Sequence, residues 1–519
     1  MNVTADQLPN DITALKKLVL DYQNDATKYQ QQVDALQEQL RLLIHKRFGR
    51  SSEQAPPNQL GLFDESETTL AEDAVEGNIE GELSVSSTKE PANKTQRGAR
   101  KPLPEYLPRI EVIHDLAEAE KTCLHDGHEL QRIGEESSEQ LDIIPAKIQV
   151  IKNIRYKYAC PCCDQTIKQA GLPAQALPKS QASAGLLAHI AVSKYLDALP
   201  LYRQSAMWQR ADIHFDRTTL ANWMIKTGDL LTPLINLMQD KLLESKLIHC
   251  DETTVQVLKE PDKPVSSKSY MWVRVAGPPG QRVHLFDYDP SRSSLVPKRL
   301  LDGYQGILVT DGYEGYRAAI NEQSLISAGC WAHARRKFDE CIKAQPKNAK
   351  TKTGKAHQGL AYIQKLYQIE KSFTKMSDAE RYDARQIHSK PVIEKLHQWL
   401  MTSLPQVPPK SLLGKALNYL NNQWAKLTVF LNDGIIPLDN NAAENAIRPF
   451  VLGRKNWLFS TSQSGVKASA AIYSVIQTAK ANGLEPYAYL KQVLTELPKA
   501  KTVEDIEKLL PFSADKAIG

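Results

Sequence analysis

The chain has 519 residues, more than one hydrophobic core usually serves, so several domains are expected and a small single module is excluded. Its 65 Lys and Arg against 60 Asp and Glu leave a formal charge of only +5, too mild by itself to argue for a polyanionic partner. No stretch reaches the roughly 18 consecutive apolar residues of a membrane helix, and MNVTADQLPNDITALKK lacks a charged-then-apolar export signal, so a cytoplasmic protein with no membrane partner is expected.

The first element, over residues 10–53, carries a seven-residue beat. Ile12, Val19, Ala26, Val33 and Leu40 share one seam position and Leu15, Tyr22, Tyr29, Leu36 and Leu43 the other, which predicts a coiled coil and a homo-oligomer. It runs out in the basic HKRFGRSSE, residues 45–53. Residues 54–100 follow with Pro56-Pro57, an acid-rich run from Asp64 to Glu90 and no sustained period, and read as a disordered acidic linker. The next stretch is basic instead, with Lys94, Arg97, Arg100, Lys101 and Arg109.

Residues 101–175 read as a small domain with β-like alternation over 146–158, ending in Cys160-Pro-Cys-Cys163. Seven Cys is an odd number, and three of them bunched suit a metal better than a disulfide framework. Cys160 and Cys163 have the spacing of one half of a structural zinc site. Residues 176–240 read as short helices around a break at His214. The second helix of that pair carries Arg217, Thr218, Thr219 and Asn222, a helix-turn-helix-like arrangement that would place Arg217 and Thr219 on DNA, although any three-helix core has the same pattern.

From residue 241 the order becomes definite. LIHCDETTVQVL, YMWVRVAG and RVHLFDYD read as three strands, SSLVPKRLL as a helix, GILVTDGY as a strand, YRAAI as a helix and LISAGCW as a strand. That succession predicts a multidomain α/β protein whose central part, 241–465, is a ribonuclease-H-like mixed sheet. A helical insertion would occupy about 340–430, and residues 466–519 would form a helical C-terminal piece.

Acids at strand ends are the candidate chemistry. Asp251 ends the first strand and Asp311 the fourth, adjacent strands in such a sheet, so both carboxylates reach one edge, while Glu444 in DNNAAENAIRP opens a later helix. Hard divalent ions need carboxylates converging in this way. Each acid also has a plainer reading. Glu444 would close a capping box with Asn441, Asp311-Gly312 would be a turn, and Asp251 would be a half-buried acid in need of a partner; Glu252 would point to the opposite face.

HKRFGRSSE, CDETTVQV, LVTDGYEGY, CWAHARRKF, DNNAAENAIRPFVLGRKNWLFS and the cysteine pattern together resemble the insertion-sequence 66 family of bacterial transposases, over nearly the whole chain. The resemblance implies a DDE transposase that binds the terminal repeats of its element and hydrolyses phosphodiester bonds there. It would then join the freed 3′-hydroxyls to target DNA, with small accessory proteins as partners and a nucleoid-associated location. Asp251, Asp311 and Glu444 would hold two Mg²⁺ or Mn²⁺ ions, Asp251 bridging them. His333 in Cys330-Trp-Ala-His333 would approach the scissile phosphate; a structural histidine is equally open, and a zinc role for one Cys and one His is the less favoured reading. Arg335, Arg336, Arg448, Arg454 and Lys455 would contact phosphates, and Trp457 would stack on an unpaired base or pack in the core. Family members carry a second Cys-x-x-Cys; here it is Cys123-Leu-His-Asp126, so Zn²⁺ would take Cys123, Cys160, Cys163 and either Asp126 or one of His125 and His128. The alternatives are a catalytically inactive DNA-binding relic or regulator, and a stand-alone nuclease that would not need the zipper or the insertion.

Overall fold

The computed structural model describes residues 11–48, 148–159, 167–345 and 354–513. The acidic linker, the basic segment from Gly49 and the expected zinc ligands Cys123, Asp126, Cys160 and Cys163 lie outside them. The chain divides into two compact units, residues 73–172 and the remainder.

In the smaller unit, β1 (Lys157–Ala159) pairs antiparallel with β2 (Ile167–Gln169), Lys157 opposite Gln169. The strand expected over 146–158 is thus shorter at its start. Residues 148–156 alternate but, among the described residues, meet no partner strand, and Val150 stands 93% exposed. Alternation needs a paired edge and a covered face to become a strand.

In the larger unit, α1 (Ile12–Phe48) is one 37-residue helix. Its seam residues Ile12, Tyr29, Leu36, Leu40 and Leu43 are exposed. Its C-terminal half touches the rest of the unit through polar contacts, Arg41 Nε donating to the Ala344 carbonyl at 3.0 Å and Lys46 pairing with Glu340 at 2.9 Å. Four helices follow, α2 (Ala184–Tyr195), α3 (Leu201–Gln209), α4 (Arg217–Leu230) and α5 (Thr232–Leu243).

The sheet then builds in the expected succession: β3 (Leu247–Lys259), β4 (Lys268–Ala276), β5 (Val283–Asp289), α6 (Leu295–Leu300), β6 (Ile307–Val309), α7 (Arg317–Glu322) and β7 (Ile326–Ala328). Strand order is β5-β4-β3-β6-β7, antiparallel between β3, β4 and β5 and parallel between β3, β6 and β7. The region of the expected insertion holds α8 (Trp331–Lys343), α9 (Lys355–Ser372), α10 (Asp378–His388), α11 (Lys390–Ser403), α12 (Leu412–Asn422) and α13 (Trp424–Leu427). These helices enclose a second core around Trp331, Phe338, Leu396, Leu417 and Phe430, distinct from the core between the sheet and the remaining helices. Arg385, 1% exposed, ties this layer together: it makes two bonds of 2.8 and 2.9 Å to the Glu370 carboxylate and donates to the carbonyls of Phe430 and Asp433. The chain returns through α14 (Asn441–Trp457), β8 (Ser460–Ser462), α15 (Gln463–Ala481), α16 (Pro486–Glu496) and α17 (Val503–Glu507).

An edge strand exposes a row of unpaired amides and carbonyls. On β5 that row is met by side chains of α15: Asn482, Thr478 and Ser474 accept from the amides of Arg282, His284 and Phe286 at 2.9, 3.0 and 2.8 Å, and Asn482 and Thr478 also donate to the carbonyls of Arg282 and His284. The match follows from pitch. Four helix residues rise about 6.0 Å and two strand residues about 6.7 Å, so residues four apart on the helix serve residues two apart on the strand.

α15 also runs against α4, where a Cβ on Gly228 would stand 2.7 Å from the Ala468 Cα. Gly228→Ala should therefore destabilise by about 1–3 kcal/mol despite the better helix propensity of Ala, because the obstacle is backbone. A thermal midpoint unchanged or raised would show that the two helices can separate without cost.

Candidate active site

β6 pairs with β3 only over Leu247–His249, where Leu247 faces Ile307 and His249 faces Val309. Two residues beyond the last pair on each chain stand Asp251 and Asp311, and the Asp311 carboxylate is near enough to act on that of Asp251. Farther along, β8 takes the same edge of β3 at Val257 and Lys259. Between these pairings no strand among the described residues takes that edge of β3, and side chains of α14 and its N-cap reach the Cys250 and Thr254 carbonyls instead. Asn440, fully buried, donates from Nδ2 to the Cys250 carbonyl at 2.7 Å and places Oδ1 3.0 Å from His249 Nδ1. Burial holds His249 down at about 4, so it is neutral and donates from that nitrogen.

This anchor positions Glu444 one turn into the helix and revises the capping-box reading. The N-cap is Asn440, whose side chain is spent on β3 and makes no cap bond. Glu444 Oε1 instead lies 3.8 Å from Cys330 Sγ and 3.6 Å from His333 Nδ1. Cys330 is the N-cap of α8 and His333 lies on its first turn, so the i, i+3 spacing turns both toward Glu444.

The insertion helices brace both approaches. Tyr419 on α12 donates to the Asp311 carbonyl at 3.1 Å, and Tyr367 on α9 donates to Asp439 Oδ2 at 3.0 Å, just before α14. Asp311 Oδ1 accepts from the Tyr313 amide at 2.9 Å in a turn whose Gly312 sits at φ +92°, a conformation that L side chains resist.

The electrostatics are those of crowded, desolvated acids. Burial raises Asp251 well above the ordinary carboxylate range, and Glu252, Asp311 and Glu444 push the same way, opposed by the Glu252 amide, which donates to Asp251 Oδ1 at 2.9 Å. Burial likewise lifts Glu444 to about 7, with Arg336 opposing and Asp439 and Asp311 reinforcing. Glu252 is otherwise engaged. Arg292 holds its Oε1 through two bonds of 2.6 and 2.9 Å, and the Tyr316 hydroxyl donates to its other oxygen at 2.7 Å. Sequence reasoning missed Arg292, Tyr316 and Asn440; the only signal was Asn440 beside Asp439, which reads as an ordinary helix start.

The basic residues separate. Arg217 is exposed and Thr219 half-buried on the first turn of α4, Arg335 and Arg336 are half-buried on α8, and Arg448 and Lys455 are exposed on α14. Arg454 departs from its expected role: it is 8% exposed and donates to the Thr253 hydroxyl and to Thr254, so its guanidinium braces β3 and does not face a phosphate. Trp457 takes the packing alternative, its ring 5.4 Å from that of Phe450 and beneath the Lys194 ammonium.

Asn440→Ala would strand the Cys250 carbonyl and His249 together, at a cost of about 1–3 kcal/mol. The check is the unfolding midpoint; no loss would mean that water replaces the amide freely.

The model of the transposase IS66 family matches residues 179–468, its zinc-finger binding domain residues 120–164, and its C-terminal element residues 474–512. A model described as "Transposase C of IS166 homeodomain" matches residues 35–112. Among curated relatives, uncharacterized protein y4jD of Sinorhizobium fredii is 31% identical, covering 99% of this chain and 98% of its own length. Uncharacterized protein y4qI of the same organism is 32% identical, covering 87% and 82% respectively. No solved structure matches the chain.

Proposed function

Because the chain belongs to the transposase IS66 family, we propose that it is a DDE enzyme that cuts DNA at the ends of its element and joins the 3′-hydroxyls to target DNA. The observation that supports this reading is that Asp251, two residues past the β3–β6 pairing, feels the carboxylates of both Asp311, two residues past the same pairing, and Glu444 on α14. The order β5-β4-β3-β6-β7, with its last three neighbours parallel, supports a ribonuclease-H-like sheet.

The acids fit divalent ions. Asp251 is desolvated among three other carboxylates, with the Glu252 amide opposing them, an arrangement that divalent charge would relieve. Asp251, Asp311 and Glu444 would hold Mg²⁺ or Mn²⁺, which when bound would lower the pKa of an attacking water and neutralise the leaving oxygen. The chain's own work is positional. Asn440 fixes α14 against β3, Arg292 and Tyr316 occupy the oxygens of Glu252, and Tyr419 steadies the Asp311 turn.

DNA would approach over Arg335 and Arg336 of α8 and Arg448 and Lys455 of α14, with Arg217 and Thr219 serving the element ends. The exposed seam of α1 supports self-association as a coiled coil that pairs two ends. The family's zinc-finger match supports Zn²⁺ on Cys123, Cys160, Cys163 and Asp126 or a neighbouring His. Among the described residues no helix is long and apolar enough to cross a membrane.

The test is purified protein, Mg²⁺ and DNA carrying the element termini, read for nicking at the ends and for joined products. Cleavage without joining would reduce the reading to a nuclease. Binding of the termini without either would favour a DNA-binding regulator.

A further inference from the structure

The Glu444 corner holds a donor set that hard-ion chemistry does not call for. Cys330 Sγ, a His333 ring nitrogen and a Glu444 oxygen all lie within 4.8 Å of one another. Mg²⁺ selects oxygen and has no use for a thiol, whereas sulfur, imidazole and carboxylate together suit a borderline-soft ion.

We propose that Cys330, His333 and Glu444 form a further metal site for one Zn²⁺-class ion, sharing Glu444 with the acidic pocket, and that its occupation withdraws Glu444 from Asp251 and Asp311. The first half stands on this geometry alone; the second rests on the function proposed above.

Tetrahedral zinc with bonds of about 2.0–2.3 Å sets its ligand atoms roughly 3.3–3.5 Å apart. The distances from Glu444 Oε1, 3.8 Å to sulfur and 3.6 Å to nitrogen, exceed this by only a few tenths of an ångström. The ligands come from rigid places. Cys330 caps α8, His333 is one turn on, and Glu444 opens a helix pinned to β3 by Asn440. The Asn440 amide points at Cys330 Sγ at 3.3 Å, a donor that would stabilise a thiolate as outer partners of metal ligands do. The side chains of His333 and Glu444 are 17% and 14% exposed, enough to admit an ion and leave its fourth position to water. Binding would release the Cys330 thiol proton to solvent. Cys330 and His333 alone make half a site; Glu444, 114 residues beyond Cys330, supplies the third ligand.

Co²⁺ is the probe, since a thiolate ligand gives it a near-ultraviolet charge-transfer band. Added to the full-length protein as purified, it should produce that band, and Cys330→Ser should remove one equivalent of it, leaving whatever the thiolates of Cys123, Cys160 and Cys163 supply. His333→Ala should weaken the apparent Kd by at least the roughly 10–100-fold that losing an outer partner costs. Asp251→Asn should keep the band while losing cleavage, which separates failure of this site from failure of the catalytic reading. Micromolar-range Zn²⁺ should inhibit Mg²⁺-dependent cleavage by the wild type. A band of equal strength in Cys330→Ser, or none in the wild type, overturns the site. Should Cys330→Ser fail to fold, an unchanged Kd in His333→Ala overturns it equally, and cleavage indifferent to Zn²⁺ overturns the withdrawal of Glu444.

Discussion

Asp251→Asn is expected to lower metal-dependent DNA cleavage by about 1,000-fold or more while leaving the protein folded and, without divalent ions, at least as stable as the wild type. The two expectations share one cause. The carboxylate sits where burial and three neighbouring acids all disfavour its charge, so an isosteric neutral amide removes a repulsion that the metal-free fold otherwise carries. The charge that burdens the fold is the charge an ion requires, and 1,000-fold corresponds to about 4 kcal/mol of lost transition-state stabilisation. Adding Mg²⁺ should raise the unfolding midpoint of the wild type more than that of the variant, since binding to the folded state stabilises it by mass action. Glu252 cannot substitute, because Arg292 and Tyr316 already hold both of its oxygens. Cleavage within about tenfold of wild type would remove Asp251 from the mechanism. A collapse of stability without metal would show that its charge supports the fold.

The strands were legible because each burial pattern is local: LIHCDETTVQVL and GILVTDGY announce themselves by apolar runs ended by acids, and their 60-residue offset reappears as the register between Leu247 and Ile307. What stayed hidden depends on contacts between distant segments. Ser474, Thr478 and Asn482 resemble the solvated face of a helix, yet all three serve the free edge of β5. Arg454, in a basic run, looked like a phosphate contact; only the approach of α14 to β3 reveals that it is buried against Thr253 and Thr254. The same approach alters Glu444. DNNAAEN reads locally as a capping box, and that reading lapses once Asn440 is drawn onto the Cys250 carbonyl. A polar side chain at a helix start has two possible partners, its own helix or a neighbouring strand edge, and no local pattern chooses between them.

Glu444→Gln should lose cleavage on the same scale as Asp251→Asn, and it should also change how stability responds to pH. Burial raises the Glu444 carboxyl to about 7 from an ordinary value of 4.5. Around it stand Arg336, His333 and Cys330 from α8, Asp439 ahead of its own helix, Asp311 beyond β6, and Asp251 on β3, whose own carboxyl it helps to raise. With the folded value above the unfolded one, the folded state keeps a proton that the unfolded chain has released across that window. Metal-free stability is therefore fully present below about pH 4.5 and falls as pH rises through about 7, by roughly 3 kcal/mol from this group. Asp251 moves in the same direction, so the wild-type decline should be steeper than Glu444 alone would give. Glutamine keeps the volume and cannot titrate. Without added divalent ions, the variant should lose less stability than the wild type between about pH 5 and pH 8, and should be the more stable of the two at the upper end. Divalent ions must displace the same proton, so wild-type affinity for Mg²⁺ should weaken by about tenfold per pH unit below 7, and cleavage should fade with it. A variant with the wild-type slope would show that Glu444 ionises normally in the fold; one that retains cleavage would leave the third ligand to be sought elsewhere. The paired readout matters because a helix-capping glutamate would predict the opposite sign. Its carboxylate would be stabilised by backbone amides, its pKa would fall, and the substitution would cost stability most at neutral pH.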